Sequence, residues 1–319
     1  MVHILSDLLF SLGIVMPLFA LLLLGFGLKH IGMIDDAFAR MGNKLMFYIG
    51  LPIIVFRSIY RADIREVFDT RFVLAMVGIT LVTGLGIWLF STPFIKEKPV
   101  RGAFVSSAFR GNQAFLGIPL MMSLAGDAGL LRATMVVTFV LPFSNVLSIF
   151  VMAFNGRTDK KISPAYIGLT IVKNPVIIMT SLGLALALFN LRLPAVGEVT
   201  IDYLAEMATP LALLCIGASM RFEGFDRKFN YALAAVAVKV LILPVAFAGL
   251  GYLLGFRGYD LAAMAIMGGV PSAIAGYAMV VEMGGDGYVA STIVVLSTLV
   301  SAFTLTLIIY AIRVLGIAG

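Results

Sequence analysis

SSAFRGNQAFLGIPLMMSLAGD, from Ser106 to Asp127, is the stretch whose reading decides the fold. It lies inside a hydrophobic segment yet carries Arg110, Gly111, Asn112, Gln113, Gly117 and Pro119. A second stretch of the same character, MGGVPSAIAGYAMVVEMGGD, runs from Met267 to Asp286. Gly117 and Asp127 recur as Gly276 and Asp286, 159 residues on, which is half of the 319-residue chain. Interrupted apolar segments at matching positions of two halves mark a carrier built from an internal repeat.

Composition points the same way. Apolar residues make up 61% of the chain and charged ones 13%, against about 25% charged in soluble domains. Apolar runs long enough to cross a bilayer, about 20 residues, recur from end to end. No polar region is long enough to fold outside the membrane. The net charge of +6 resides mostly in short loops, where Lys and Arg set topology; nucleic acid is not an expected partner. The single cysteine, Cys215, excludes an intramolecular disulfide, and His3 and His30 stand apart. No metal site or cofactor is expected. Asp7 and an apolar run reaching Leu28 argue against a cleaved signal peptide.

Ten spans follow, at residues 9–28, 45–60, 71–94, 101–126, 130–154, 166–190, 203–220, 229–256, 258–283 and 287–315. The polar linker NGRTDKKIS, Asn155 to Ser163, divides them five and five. Pro17 then matches Pro175 and Pro52 matches Pro210, both at an offset of 158. The reading is an all-α polytopic membrane protein: a five-helix repeat over 1–154, a cytoplasmic linker over 155–165 and a second repeat over 166–319. Five is odd, so the second repeat enters the membrane from the opposite side. Twelve basic loop residues against eight place both termini outside the cytoplasm of a cell inner membrane.

Inside hydrocarbon a helix breaks only where protein or a watery cavity covers the freed backbone groups. Unwound backbone is expected near Gly111-Asn112 and near Pro271. Each break exposes a helix N-terminus, whose N–H groups and dipole favour an anion such as a carboxylate. Asn112 and Gln113 add donors at one break and Ser272 at the other. One break alone reads equally well as a packing kink; two in register argue for a site. Arg110, beside the first break, is placed to neutralise an anionic substrate, or else to snorkel or pair with Glu206. Lys239, deep in span eight, either takes the place of a coupling cation or pairs with Glu206; Lys173 carries little weight. Asn145 and Thr304, at offset 159, are further polar candidates or ordinary interhelical hydrogen bonds. Asp127 and Asp286 read as helix caps. Buried acids are scarce, so H+ and Na+ both stay open as coupling ions.

The runs GNQAFLGIPL (Gly111–Leu120), TPLALLCIGASM (Thr209–Met220) and PSAIAGYAMVVEMGGD (Pro271–Asp286) resemble the auxin efflux carrier family. That family includes plant PIN carriers and bacterial permeases for malonate and other organic acids, and the resemblance covers essentially the whole chain. It implies ten helices in two inverted repeats, with broken helices 4 and 9 crossing in a transport domain beside a scaffold domain. This is the architecture of bile-acid symporters and sodium–proton antiporters. It also implies elevator-type alternating access, anionic carboxylate substrates and a homodimer. In the plant members each crossover has a proline, followed in the first by an asparagine near the substrate carboxylate. Asn112 and Pro271 match; Gly111 stands where the first proline would be.

The expected function is therefore secondary transport of small organic anions, with a passive channel or uniporter as the alternative. An intramembrane aspartyl protease is a poorer reading. Tyr259-Asp260 and Gly284-Gly285-Asp286 resemble its paired motifs, but Met283 stands where a glycine is required. No Gly-rich, Lys-ending nucleotide loop is present.

Overall fold

The computed structural model describes residues 2–61, 69–156, 172–173, 175–189, 191–220 and 228–317. Most of the predicted linker and the start of the predicted sixth span lie outside the described residues, as does the side chain of Glu282. The described residues are helical, with one isolated antiparallel bridge and no strand. Among the described residues, six helices are long and apolar enough to cross a membrane.

The first half holds α1 (Val2–His30), α2 (Asp36–Leu45), α3 (Leu51–Arg61), α4 (Thr70–Ser91), α5 (Lys98–Phe109), α6 (Ile118–Met135) and α7 (Leu141–Asn155). The second holds α8 (Pro175–Leu188), α9 (Ala195–Ala218), α10 (Phe229–Ala237), α11 (Leu243–Leu253), α12 (Gly258–Gly269), α13 (Ile274–Glu282) and α14 (Gly287–Val314). The predicted second span begins earlier than expected, because Asp35 caps α2 by accepting from the Phe38 N–H. Residues Asp36 to Arg61 then run on helically through a π-helical turn, Met46–Gly50.

Proline explains such turns. Four π-helical stretches, Met46–Gly50, Gln113–Gly117, Val136–Val140 and Val238–Ile242, each end two residues before a proline: Pro52, Pro119, Pro142 and Pro244. A proline ring donates no hydrogen bond and collides with the carbonyl four residues back. One extra residue in that turn widens it and relieves the clash. Gly126, at φ 55, makes the reversal between the two parts of α6.

Helix ends gather at two poles. At one, the Asp286 N–H donates to the Pro99 carbonyl at 3.1 Å, Lys228 bridges Glu97 and Asp286, and Arg101 donates to Asn155 at 2.7 Å. The hydrogen bond to Asp286 raises the Lys228 pKa. Asp286 also caps α14 by accepting from the Val289 N–H, as its sequence position predicted. At the other pole Arg313 pairs with Asp7, Arg132 with Asp260 and Tyr60 with Glu198. Asp260 and Asp286 thus lie at opposite ends of the α12–α13 pair, each with its own basic partner, and do not face each other.

Two helix pairs approach backbone to backbone. A Cβ added to Gly25 of α1 would lie 2.1 Å from the Leu214 carbonyl oxygen of α9. One added to Gly183 of α8 would lie 3.2 Å from the Phe56 carbonyl oxygen of α3. Small residues at such seams are what lets helices associate in lipid, where burial gives no drive.

Candidate functional site

The two interrupted stretches meet in space. Helix α5 stops at Phe109; Arg110 turns extended (φ −78°, ψ 128°) and Asn112 sits at φ −78°, ψ 56° before the helix resumes at Gln113. Helix α12 stops at Gly269; Val270 (φ −59°, ψ 144°) and Ala273 (φ −78°, ψ 133°) are extended before α13. Gly111 and Ser272 form the antiparallel bridge, and the Asn112 N–H donates to the Pro271 carbonyl at 2.7 Å. Both expected breaks are present, and each supplies backbone partners to the other, as buried peptide groups demand.

Side chains complete the exchange. Gln113 Nε2 donates to the Met267 carbonyl at the end of α12, at 3.4 Å. Ser272 Oγ donates to the Ser107 carbonyl at the end of α5, at 2.9 Å, while its N–H donates to Ser297 Oγ at 3.0 Å. Lys239, in the π-helical turn between α10 and α11, donates from Nζ to the Gly268 carbonyl at 3.1 Å. Position 111 has no room for a side chain. A Cβ there would lie 2.7 Å from Val270 Cγ2 and 3.1 Å from Lys239 Nζ. Val270 and the lysine head together fill the space that a side chain at this position would need.

In front of the crossing lies a cavity of about 700 Å³. Arg110, Gly111, Asn112 and Ala273 line its inner end, with Asn145 and Ser144 of α7 and Tyr277 and Met279 of α13. Its outer part is lined by Arg40, Asn43 and Lys44 of α2 and by Ser219 at the end of α9. The remaining wall includes Leu51, Phe115, Ile149, Ile216 and Val294. These segments belong to the half of the molecule toward the pole of Asn155 and Asp286, so the cavity is one-sided.

The charge buried around the crossing is positive. Arg110 is 7% exposed and Lys239 1%. Among the described residues no Asp or Glu is buried. Arg110 has only neutral partners there: Asn145 Oδ1 at 2.5 Å from Nη2 and Met279 Sδ at 3.5 Å from Nη1. The first N–H groups of a helix have no partner within it, and the residues just before the helix at Gln113 and before α13, Asn112 and Ala273, both line the cavity. A planar guanidinium beside helix N-termini suits a carboxylate, which it can hold by two parallel hydrogen bonds.

Sequence-predicted site residues divide into two groups. Arg110, Gly111, Asn112 and Asn145 line the cavity. Gln113, Pro271, Ser272 and Lys239 are buried at the crossing but absent from the cavity wall, with the polar side chains turned to helix-end carbonyls. The alternative pairing of Glu206 with Arg110 or Lys239 is not found; Glu206 is exposed on α9, and both cations have the neutral partners given above. Lys173 is likewise exposed. Thr304 is buried, and its Oγ1 has no hydrogen-bond partner among the described residues. Arg40 and Lys44 read in sequence as loop charges. Their spacing of four on a short amphipathic helix was the available signal that they share a face.

A family model described as Membrane transport protein matches residues 10–309. The chain belongs to this family, that of the auxin efflux carriers. Among curated relatives of this family member, a protein of Methanothermobacter thermautotrophicus named "Uncharacterized transporter" is 24% identical over 92% of this chain and 95% of its own. One of Rhizobium meliloti, named "Putative malonate transporter", is 26% identical over 94% and 95%. The "Uncharacterized transporter YfdV" of Escherichia coli is 24% identical over 84% and 86%. With its apolar helices, this family member is a multi-pass membrane protein.

Proposed function

We propose that the chain is a secondary carrier of small organic anions, with carboxylates such as malonate as the first substrates to test. The observation that carries this is Arg110: a buried guanidinium on a cavity wall, with no acidic partner among the described residues. An uncompensated buried charge costs several kcal/mol, and a bound carboxylate removes that cost. Asn112, Asn145 and the helix opening at Gln113 supply the remaining donors. The name of the Rhizobium relative supports malonate as the starting probe.

The carrier reading rests on ten spans in two inverted five-helix repeats. Three pairings across the chain support it. The Gly25–Leu214 approach repeats as Gly183–Phe56, with 25 to 183 and 56 to 214 both steps of 158. The Gln113–Met267 hydrogen bond repeats as Ser272–Ser107, with 113 to 272 a step of 159 and 107 to 267 a step of 160. The bridge Gly111–Ser272 is antiparallel, an arrangement with its own local two-fold axis. Exchange of partners between halves is what a pseudo-two-fold axis through the crossing produces.

A cavity that opens toward one pole fits one state of an alternating-access cycle better than a channel, whose path must be continuous. In the elevator form of that cycle the crossing moves as a body past the α1–α9 and α3–α8 seams. Malonate uptake into proteoliposomes, lost in Arg110→Ala, tests the assignment; equal uptake by both proteins removes Arg110 from the site.

A further inference from the structure

We propose that Lys239 is the resident cation of the crossing, holding the helix-end carbonyls that would otherwise recruit sodium and so freeing the transport cycle from it. The proposal goes beyond the anion reading and concerns the opposite, carbonyl-lined face of the same crossing.

The carbonyls can be accounted for one by one. Near the end of α12, the Ile266 carbonyl accepts from the Val270 N–H at 3.0 Å and the Met267 carbonyl from Gln113 Nε2 at 3.4 Å. The next, Gly268, accepts from Lys239 Nζ at 3.1 Å. Across the crossing, the Ser107 carbonyl near the end of α5 accepts from Ser272 Oγ. Helix C-termini carry partial negative charge and favour cations. Where two broken helices meet, their carbonyl ends are the usual ligands of a coupling ion.

Here the ammonium is already in place. It bonds one break at Gly268 and packs against the other at Gly111, where an added Cβ would lie 3.1 Å away. Two further observations exclude a crowded metal site. Among the described residues no cluster of three or more His, Cys, Asp or Glu exists, and none of the buried polar residues is acidic. Lys239 itself has no acidic partner among them, and the Gly268 carbonyl at the end of α12 is the acceptor that holds its ammonium. The position 159 residues earlier is Thr80, whose hydroxyl donates to the Met76 carbonyl of its own helix. The tethered cation therefore belongs to one half only, and a single one serves both breaks.

The test uses the full-length protein and two variants, Lys239→Ala and Lys239→Met, read by melting in detergent and by malonate uptake in proteoliposomes. Wild-type melting is expected to be the same in sodium and in N-methylglucamine, and its uptake to change by less than about twofold between them. Lys239→Ala is expected to melt lower and to regain stability with propylammonium, which refills the vacated stem and charge, but not with propanol. Sodium that stabilises the wild type, or accelerates its uptake more than about tenfold, overturns the proposal. So does a Lys239→Met variant that matches the wild type in both assays, or rescue by propanol as good as by propylammonium. If neither variant folds, the wild-type comparison of the two cations decides. The melting arm needs no substrate, so a failure of the anion reading is seen separately, as absence of uptake in any cation.

Discussion

Replacing Arg110 by glutamine should change affinity and stability in opposite directions. The guanidinium is 7% exposed and, among the described residues, bonded to Asn145 Oδ1 and Met279 Sδ. A hydrogen bond to a charged group is worth about 1.5–3 kcal/mol, and each 1.4 kcal/mol is about tenfold in affinity. Loss of the carboxylate partner should therefore raise the malonate dissociation constant by roughly 10- to 100-fold. The empty protein behaves differently. It holds a buried cation with no acidic partner among the described residues, and since desolvating an ion costs several kcal/mol, neutral replacement should stabilise it. Glutamine keeps an N–H donor for Asn145, so no acceptor is stranded there. Tryptophan fluorescence or calorimetric titration gives the affinity, and unfolding in mixed micelles without substrate gives the stability. A variant that binds malonate as tightly as the wild type and unfolds more easily would refute the reasoning. It would make Arg110 a structural residue.

Three other variants probe the crossing. Asn112→Ala should lower malonate affinity about tenfold, one hydrogen bond to a charged ligand, while unfolding in micelles moves little; unchanged affinity would take Asn112 out of the site. Gly111→Ala brings a Cβ to 2.7 Å from Val270 Cγ2, an overpacking worth about 1–3 kcal/mol; adding Val270→Ala should recover most of that loss, and a double-mutant cycle measures the coupling. Gln113→Ala and Ser272→Ala each strand a helix-end carbonyl and should cost about 1–3 kcal/mol of stability with malonate affinity nearly intact; the melting assay should rank them together.

Much of the architecture was legible because the bilayer restricts what a sequence can do. Gly111-Asn112 and Pro271 announced breaks, and breaks are where the backbone leaves the helix. What the sequence left open was the direction of side chains at those breaks. Gln113 and Ser272 looked like ligand donors, yet each turns to a carbonyl of the opposite helix, and that choice depends on a partner more than 150 residues away. Arg110 and Asn112, one to three residues from Gln113, face the cavity instead. Glu206 and Lys239 looked like a pair because both seemed to lie within spans. The exposed position of Glu206 on α9 follows from which face packs on α1, and hydropathy does not encode that. In sequence Arg40 and Lys44 read as loop charges, because α2 is too short and polar to register as part of a span.

Counterflow is the measurement closest to the central claim. Proteoliposomes loaded with unlabelled malonate are diluted into labelled malonate, with no ion gradient imposed. A carrier that alternates access through the Arg110–Asn112 crossing should take up label transiently above its equilibrium level, and Arg110→Gln should abolish the overshoot. Label that rises only to equilibrium, with or without internal malonate, would contradict alternating access and make the protein a channel.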